Sequence, residues 1–395
     1  MTMPTVQSKR PATAQPGNQN KKAVVPVIPF TRGSRQKTKQ AFQLGPFTVS
    51  AVNQTLNPIQ IPPGGFLRWV DIDVTCTTAT NAATVTFAAD GPWSALSYID
   101  LRNSAGDSLI VPFTGYQLYL INKYGALGID PPNGDPRRQN IFVATAGAVA
   151  TGGSFRFYLR IPLEIDPRDA LAAVPNLAAN KSYQLQFNLA PTTLIYGVAP
   201  TNPGAITILG VMGYWTQPNQ TNAGGAQQEI KPLGNGSVSL WRLQPEVVAP
   251  GDRLTQLLNV GNVIRTMIFC LRTAAAVRTS TDWSATSQFV VNDDIMFLLP
   301  TGLWQTWMAA DYGYNTGAVD AAGGLDTGVF VLSQLNNQRG CVKADGPRDQ
   351  YLVTYNTTLL QLRNTSLGAA ASSLEIITNE IKPISALALY SPNVV

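Results

Sequence analysis

The chain has 395 residues, is 45% hydrophobic and 13% charged, and carries a net charge of +5, so it is long and apolar enough for two ordinary domains with real cores. It contains no histidine, which excludes Ser-His-Asp and Cys-His nucleophile systems, histidine metal sites and the usual general base. No apolar run approaches the ~18 residues of a membrane-spanning helix, and the sequence has no phosphate-binding glycine loop.

Residues 1–39 read as a basic extended arm. They hold Lys9, Arg10, Lys21, Lys22, Arg32, Arg35, Lys37 and Lys39 and no acidic residue, while the rest of the chain sets 20 basic against 23 acidic residues. The arm is polar and lacks the apolar core of a signal peptide, so none is expected. Its residues 1–22 are too polar to form a core alone. Val24, Val25, Val27, Ile28 and Phe30 form an apolar strip interrupted by Pro26 and Pro29. Proline excludes a helix there, and the strip is expected to dock, extended, on another surface.

From Gln40 the pattern becomes that of strands. Phe155, Phe157, Leu159 and Ile161 alternate with Arg156, Tyr158 and Arg160, the period of a strand with one buried face. Residues 66–76, 84–88, 96–101, 108–113, 183–189 and 206–215 read likewise. Thr114 is placed to cap a short helix over Tyr116–Tyr124. The polar, turn-rich stretch 216–236 marks the domain boundary. Strand patterns resume over 238–243, 263–271, 289–299, 329–335, 351–355, 358–362, 374–381 and 384–390. Leu303, Trp304, Trp307 and Met308 mark one face of a second short helix behind a Thr301 cap. The long loops are Ala126–Gly153, Thr273–Gln288 and Asp311–Gly328. The last two are expected to project as relief from the second domain.

The two halves share a local motif. Pro112-Phe113-Thr114-Gly115-Tyr116 runs on to Lys123-Tyr124-Gly125, and Pro300-Thr301-Gly302-Leu303 runs on to Asp311-Tyr312-Gly313. The fold class expected is therefore all-β: two tandem eight-stranded jelly rolls with a short helix in each. The divisions are a 1–39 arm, a 40–220 first jelly roll, a 221–236 linker and a 237–395 second jelly roll.

Candidate chemistry is sparse. Asp166 and Asp169 sit in a Pro-Arg turn, and Asp293-Asp294 lie between apolar runs; both pairs read as turn and strand-end residues. Cys76, Cys270 and Cys341 form no CxxC pair and read as buried free thiols, which fits assembly in a reducing cytoplasm. No catalytic, cofactor or metal residue is assigned, and the chain is not expected to be an enzyme.

At this point a family is recognisable. Ser154–Leu163, followed by Asp169–Asn176, resembles the strand and loop that close the first barrel in double jelly-roll major capsid proteins of membrane-containing icosahedral viruses, most closely the tectivirus type. Gly328–Leu335 resembles the matching strand of the second barrel. The resemblance implies a viral, bacteriophage-like capsid protein of the virion, assembled in the host cytoplasm. It implies homotrimers that form pseudo-hexagonal capsomers and tile an icosahedral shell around an internal lipid membrane and genome. It places inner-membrane lipids nearest the eight basic arm residues. The Val24–Phe30 strip, a departure from the tectivirus pattern, is uncharged and broken by prolines and is expected to pack under a neighbouring subunit. Neighbouring capsomers, and with them penton and minor capsid proteins, are the partners implied; direct genome contact is less favoured. The alternative is a carbohydrate- or receptor-binding double β-sandwich using Trp283, Trp304 and Trp307 as exposed platforms. A carboxylate glycosidase would need two acidic groups facing across a cleft.

Overall fold

The computed structural model describes residues 27–79, 84–125, 141–142, 152–179, 183–232, 236–312, 326–333, 351–354 and 359–382. A one-turn helix α1 (Phe30–Gly33) precedes β1 (Gln36–Thr48), β2 (Gln54–Thr55), β3 (Ile59–Gln60), β4 (Gly65–Thr77), β5 (Leu96–Arg102) and β6 (Ser108–Phe113). Helix α2 (Gly115–Tyr124), β7 (Phe155–Pro162), β8 (Gln184–Leu189) and β9 (Ala205–Trp215) follow. The second half runs β10 (Val238–Val247), β11 (Gly251–Gln256), β12 (Val263–Thr273), β13 (Thr286–Val291), β14 (Asp294–Pro300), α3 (Thr301–Tyr312), β15 (Val329–Ser333), β16 (Leu360–Leu367) and β17 (Ala371–Lys382).

The first half makes one sheet in the order β1-β9-β4-β7 and another in which β6, β5 and β8 lie side by side, with β2 and β3 both on β8. The second half makes β10-β17-β12-β15 and β11-β16-β13-β14. If β2 and β3 count as halves of one strand, each set has eight strands with sheet orders 1-8-3-6 and 2-7-4-5. That is a jelly roll, twice. The fold is all-β with a helix after the fifth strand of each barrel.

The cores follow from alternation. In β7, Phe155, Phe157, Leu159 and Ile161 are buried and Arg156, Tyr158 and Arg160 are wetter, as a sheet with one covered face requires. On that outer face Arg156 pairs with Asp73 at 2.7 Å and Arg160 with Asp71 at 2.6 Å across the β4–β7 ladder. Residues 263–272 of β12 are all buried, because this strand is covered on both faces.

Several expectations change. The first strand begins at Gln36, so Lys37 and Lys39 belong to a sheet rather than to an arm. Residues 289–299 are not one strand: Asn292 and Asp293, at φ of 49° and 69°, turn the chain between β13 and β14. The 84–88 pattern yields only Thr86–Phe87. Thr273–Gln288 is exposed only in part: Ala274–Val277 are exposed, but the rest is anchored. Within it Arg278, Trp283 and Ser284 are buried, and Trp283 stacks on Phe330 at 4.2 Å. The expected strand 384–390 and most of the loops 126–153 and 311–328 lie outside the described residues.

Candidate assembly surfaces

Helix α2 starts where the sequence says it should. Thr114 accepts from the Gln117 amide, and the Gln117 side chain accepts from the Thr114 amide, a complete capping box. All ten of its residues are buried. One side lies on its own barrel, where Asn122 exchanges two hydrogen bonds of 2.6 Å with the Arg160 backbone. The other side meets the second barrel.

That seam is made of charge held by hydrogen bonds. Lys123 donates to Asp326 at 2.8 and 3.0 Å, and the Tyr124 hydroxyl donates to the same carboxylate at 2.6 Å. Arg278 reaches back to Asp90 at 2.8 Å and to the Ala89 carbonyl at 2.6 Å. Arg272 bridges Asp90 at 2.8 Å and Glu375 at 3.0 Å. The guanidinium groups lie over the Tyr116 ring, Arg272 at 5.8 Å and Arg278 at 4.5 Å. Burial opposes the charge of Arg272, yet Cys270, Asp90 and Glu375 hold its pKa above the ordinary guanidinium value. Arg265, fully buried, donates to the Gly125 carbonyl and to Asn379 at 2.8 Å. Burial pulls its pKa down. At the same seam β10 pairs in parallel with β6 at Trp241–Ile110. Sequence reading missed these residues; the available signal was arginine inside apolar strand patterns, such as Arg265 in 263–271.

The arm's end docks on its own chain. The Ile28 amide donates to the Gln227 carbonyl at 2.9 Å, and the Glu229 amide to the Ile28 carbonyl at 3.0 Å. The Phe30 amide donates to the Glu229 carboxylate at 3.0 Å. Phe30 is 2% exposed, with its ring edge-on to Phe66 at 5.2 Å and to Trp215 at 6.3 Å. The expected inter-subunit role of Phe30 is therefore corrected: its partners are intramolecular. After Pro29 the chain also takes a helical turn, Phe30–Gly33, which the prolines ahead of it permit because proline suits the start of a helix. Val27 remains exposed and Ile28 half-buried. Arg32, Arg35, Lys37 and Lys39 are all exposed. Lys9, Arg10, Lys21, Lys22, Val24 and Val25 lie outside the described residues.

Helix α3 occupies the place of α2 but is half bare. Trp304, Met308 and Tyr312 are buried, and Trp304 donates to the Val331 carbonyl at 2.7 Å. Leu303 is exposed rather than part of that face. Thr301 begins the helix itself, its hydroxyl donating to the Ser284 carbonyl. A groove of about 200 Å³ runs between the helix and β15, lined by Phe297, Trp307 and Val331 among others. Trp283 and Trp304 are not sugar platforms: both are buried under the second barrel.

The acidic turns hold no reaction geometry. Asp166 pairs with Arg168 at 2.7 Å, Asp169 accepts from the Leu171 amide at 3.2 Å, and Asp293 sits in the β13–β14 turn. Cys76 and Cys270 are buried free thiols; Cys341 lies outside the described residues. Burial pushes the Cys76 thiol up to about 11 and the Cys270 thiol up to about 12. Among the described residues no cluster of His, Cys, Asp or Glu could hold a metal ion, and no helix is long and apolar enough to cross a membrane.

Two barrels of one strand order in one chain define the double jelly-roll fold. The sequence matches no protein-family model and no curated protein. Solved structures do match. The STIV MCP aligns at a TM-score of 0.59 and 12% identity, over 91% of this chain and 99% of that one. The PBCV-1 virus capsid aligns at 0.56 and 12% identity, over 88% and 93%. The Faustovirus major capsid protein aligns at 0.54 and 8% identity, over 88% and 90%. Each match spans both barrels, and the chain shares the double jelly-roll fold of these capsid proteins.

Proposed function

We propose that this chain is a major capsid protein. It trimerises into pseudo-hexagonal capsomers that tile an icosahedral shell around an internal lipid membrane and genome. The observation that carries the reading is one eight-strand order met twice in one chain, a pattern shared over nearly the full length of capsid proteins. Three such chains supply six barrels, enough for a six-sided outline. Low charge suits a surface that spends its life in contacts. In this reading the chain has no catalytic role and resides in the virion shell after assembly in the host cytoplasm.

The basic residues ahead of β1, Lys9, Arg10, Lys21, Lys22, Arg32 and Arg35, face the inner membrane. Each cation near an anionic leaflet contributes about 1 kcal/mol, screened within a Debye length. Val24, Val25 and Val27 pack under a neighbouring subunit.

Light scattering on the purified chain tests the reading. A trimer of three times 42.4 kDa, six-lobed by electron microscopy, is expected. A monomer with affinity for sugar would overturn it in favour of the lectin-like alternative. Deleting residues 1–22 should leave the trimer intact and weaken salt-sensitive flotation with anionic vesicles.

A further inference from the structure

The two barrels have equivalent surfaces, but only one set is covered. In the first barrel β6 pairs with β10, and α2 is buried beneath the second barrel. In the second barrel β14 is, among the described residues, the free edge of its sheet. Its residues Ile295, Met296 and Leu298 are 51%, 45% and 59% exposed, and Leu303 of the adjoining helix is 45% exposed. Such an apolar edge, with unpaired backbone groups, is a docking surface or an aggregation hazard. The first barrel has the complementary vacancy. Strand β10 covers β6, whereas among the described residues its equivalent β1 pairs only with β9, leaving its other edge free.

The register can be read from the covered pair. Ile110 stands four residues before Thr114, and Phe297 four before Thr301, so Phe297 is the equivalent of Ile110. The amides of Val49 and Val248 close the two first strands in the same way, on the Gly204 and Ser372 carbonyls. Trp241 pairs with Asn379, six ladder steps from the Val247–Ser373 pair; six steps from Thr48–Ala205 is Val211, whose partner is Gln40. Phe297 then falls opposite Gln40. A parallel run places the exposed Asp294 opposite the exposed Lys37, with Asp293 and Lys39 flanking. The charges at the two edges are opposite in sign.

We propose that β14 and the outward face of α3 dock, in parallel, on the β1 edge of a second copy of this chain, with Asp294 beside Lys37. The inference rests on the trimer reading and names its contact. The interface is heterologous, and repeated by three copies it closes into a ring. Three junctions then lie within chains and three between them.

The test is cross-linking of the full chain carrying Asp294→Cys and Lys37→Cys together. Under mild oxidation the double variant should give covalent dimers and trimers on denaturing gels, while either single variant stays monomeric there. Leu298→Glu should convert the trimer to monomer, with an unchanged circular dichroism spectrum because Leu298 is exposed. Val247→Glu, on an exposed residue of the other barrel edge, should leave the trimer intact. If the wild type is a trimer but the double-cysteine variant does not cross-link and Leu298→Glu stays trimeric, this contact is overturned and the trimer stands. A monomeric wild type would overturn both.

Discussion

Phe30→Ala separates a residue that holds its own chain from one that holds a neighbour. The ring is 2% exposed in a small cluster with Phe66, Ala170, Ala173 and Trp215. Truncating an enclosed phenylalanine costs about 3–5 kcal/mol. The cluster is small and lies where the arm enters, so it can close partly, which puts the loss near 3 kcal/mol. That loss falls on the docking of residues 27–35 rather than on the barrels. Arg32 and Arg35 are exposed within that segment and give trypsin two sites whose cleavage reports local undocking. A loss of about 3 kcal/mol raises the open population, and hence native-state cleavage there, about 100-fold. The assay is trypsin at low concentration on dilute, unassembled protein, with fragments read by mass. An unchanged cleavage rate would refute the reasoning. It would mean that Phe30 holds nothing in the isolated chain and acts only across subunits.

Gly115 and Gly302 are equivalent helix starts with opposite expectations. A Cβ at Gly115 would meet the Trp93 carbonyl oxygen, whereas none of the described residues lies within 4 Å of one at Gly302. Thermal or urea unfolding should show Gly115→Ala losing about 3 kcal/mol or more and Gly302→Ala neutral or gaining about 0.5 kcal/mol. Arg278→Met removes a buried cation from Asp90 while Arg272 remains. Loss of about 3 kcal/mol, with faster hydrogen exchange in Gly115–Tyr124 than in β4, is expected. The Cys76 and Cys270 thiols titrate higher folded than unfolded. Their contribution is therefore fully present below pH 9 and declines by about 1.4 kcal/mol per pH unit per thiol as pH rises through about 11 and about 12. Urea midpoints between pH 8 and 11 should fall less steeply in Cys270→Ala.

The sequence made the interior strands legible and the edges obscure. Ser108–Phe113 and Ala205–Trp215 are bounded by turn residues and read almost to the residue. Gln36–Thr48 escaped because a free edge tolerates Gln, Lys and Thr on both faces, leaving little alternation to see. Asn292-Asp293 was hidden between two apolar strands because the turn lacks glycine, the usual mark of a two-residue hairpin. Helix α2 announced itself through Thr114. Its burial on every side did not, since that depends on Arg272 and Arg278 meeting Asp90 from more than half a barrel's sequence away. The arm's charge was plain in the composition, whereas the intramolecular seat of Phe30 depends on Trp215 and Glu229, which no local pattern links to it.

The seam has a consequence for synthesis on the ribosome. What covers the outward side of α2 comes from the second barrel, and its last members, Glu375 and Asn379, sit in the last of the described strands. At about 5–20 residues per second, the interval between the two halves emerging is on the order of 10–30 s. During that time the first barrel carries a naked Tyr116 face and an open β6 edge. Its nascent form resembles, in its exposure, the surface that the finished second barrel still offers. A chain made this way must shield the same kind of edge twice, once from its own unfinished remainder and once from other chains in a crowded polysome.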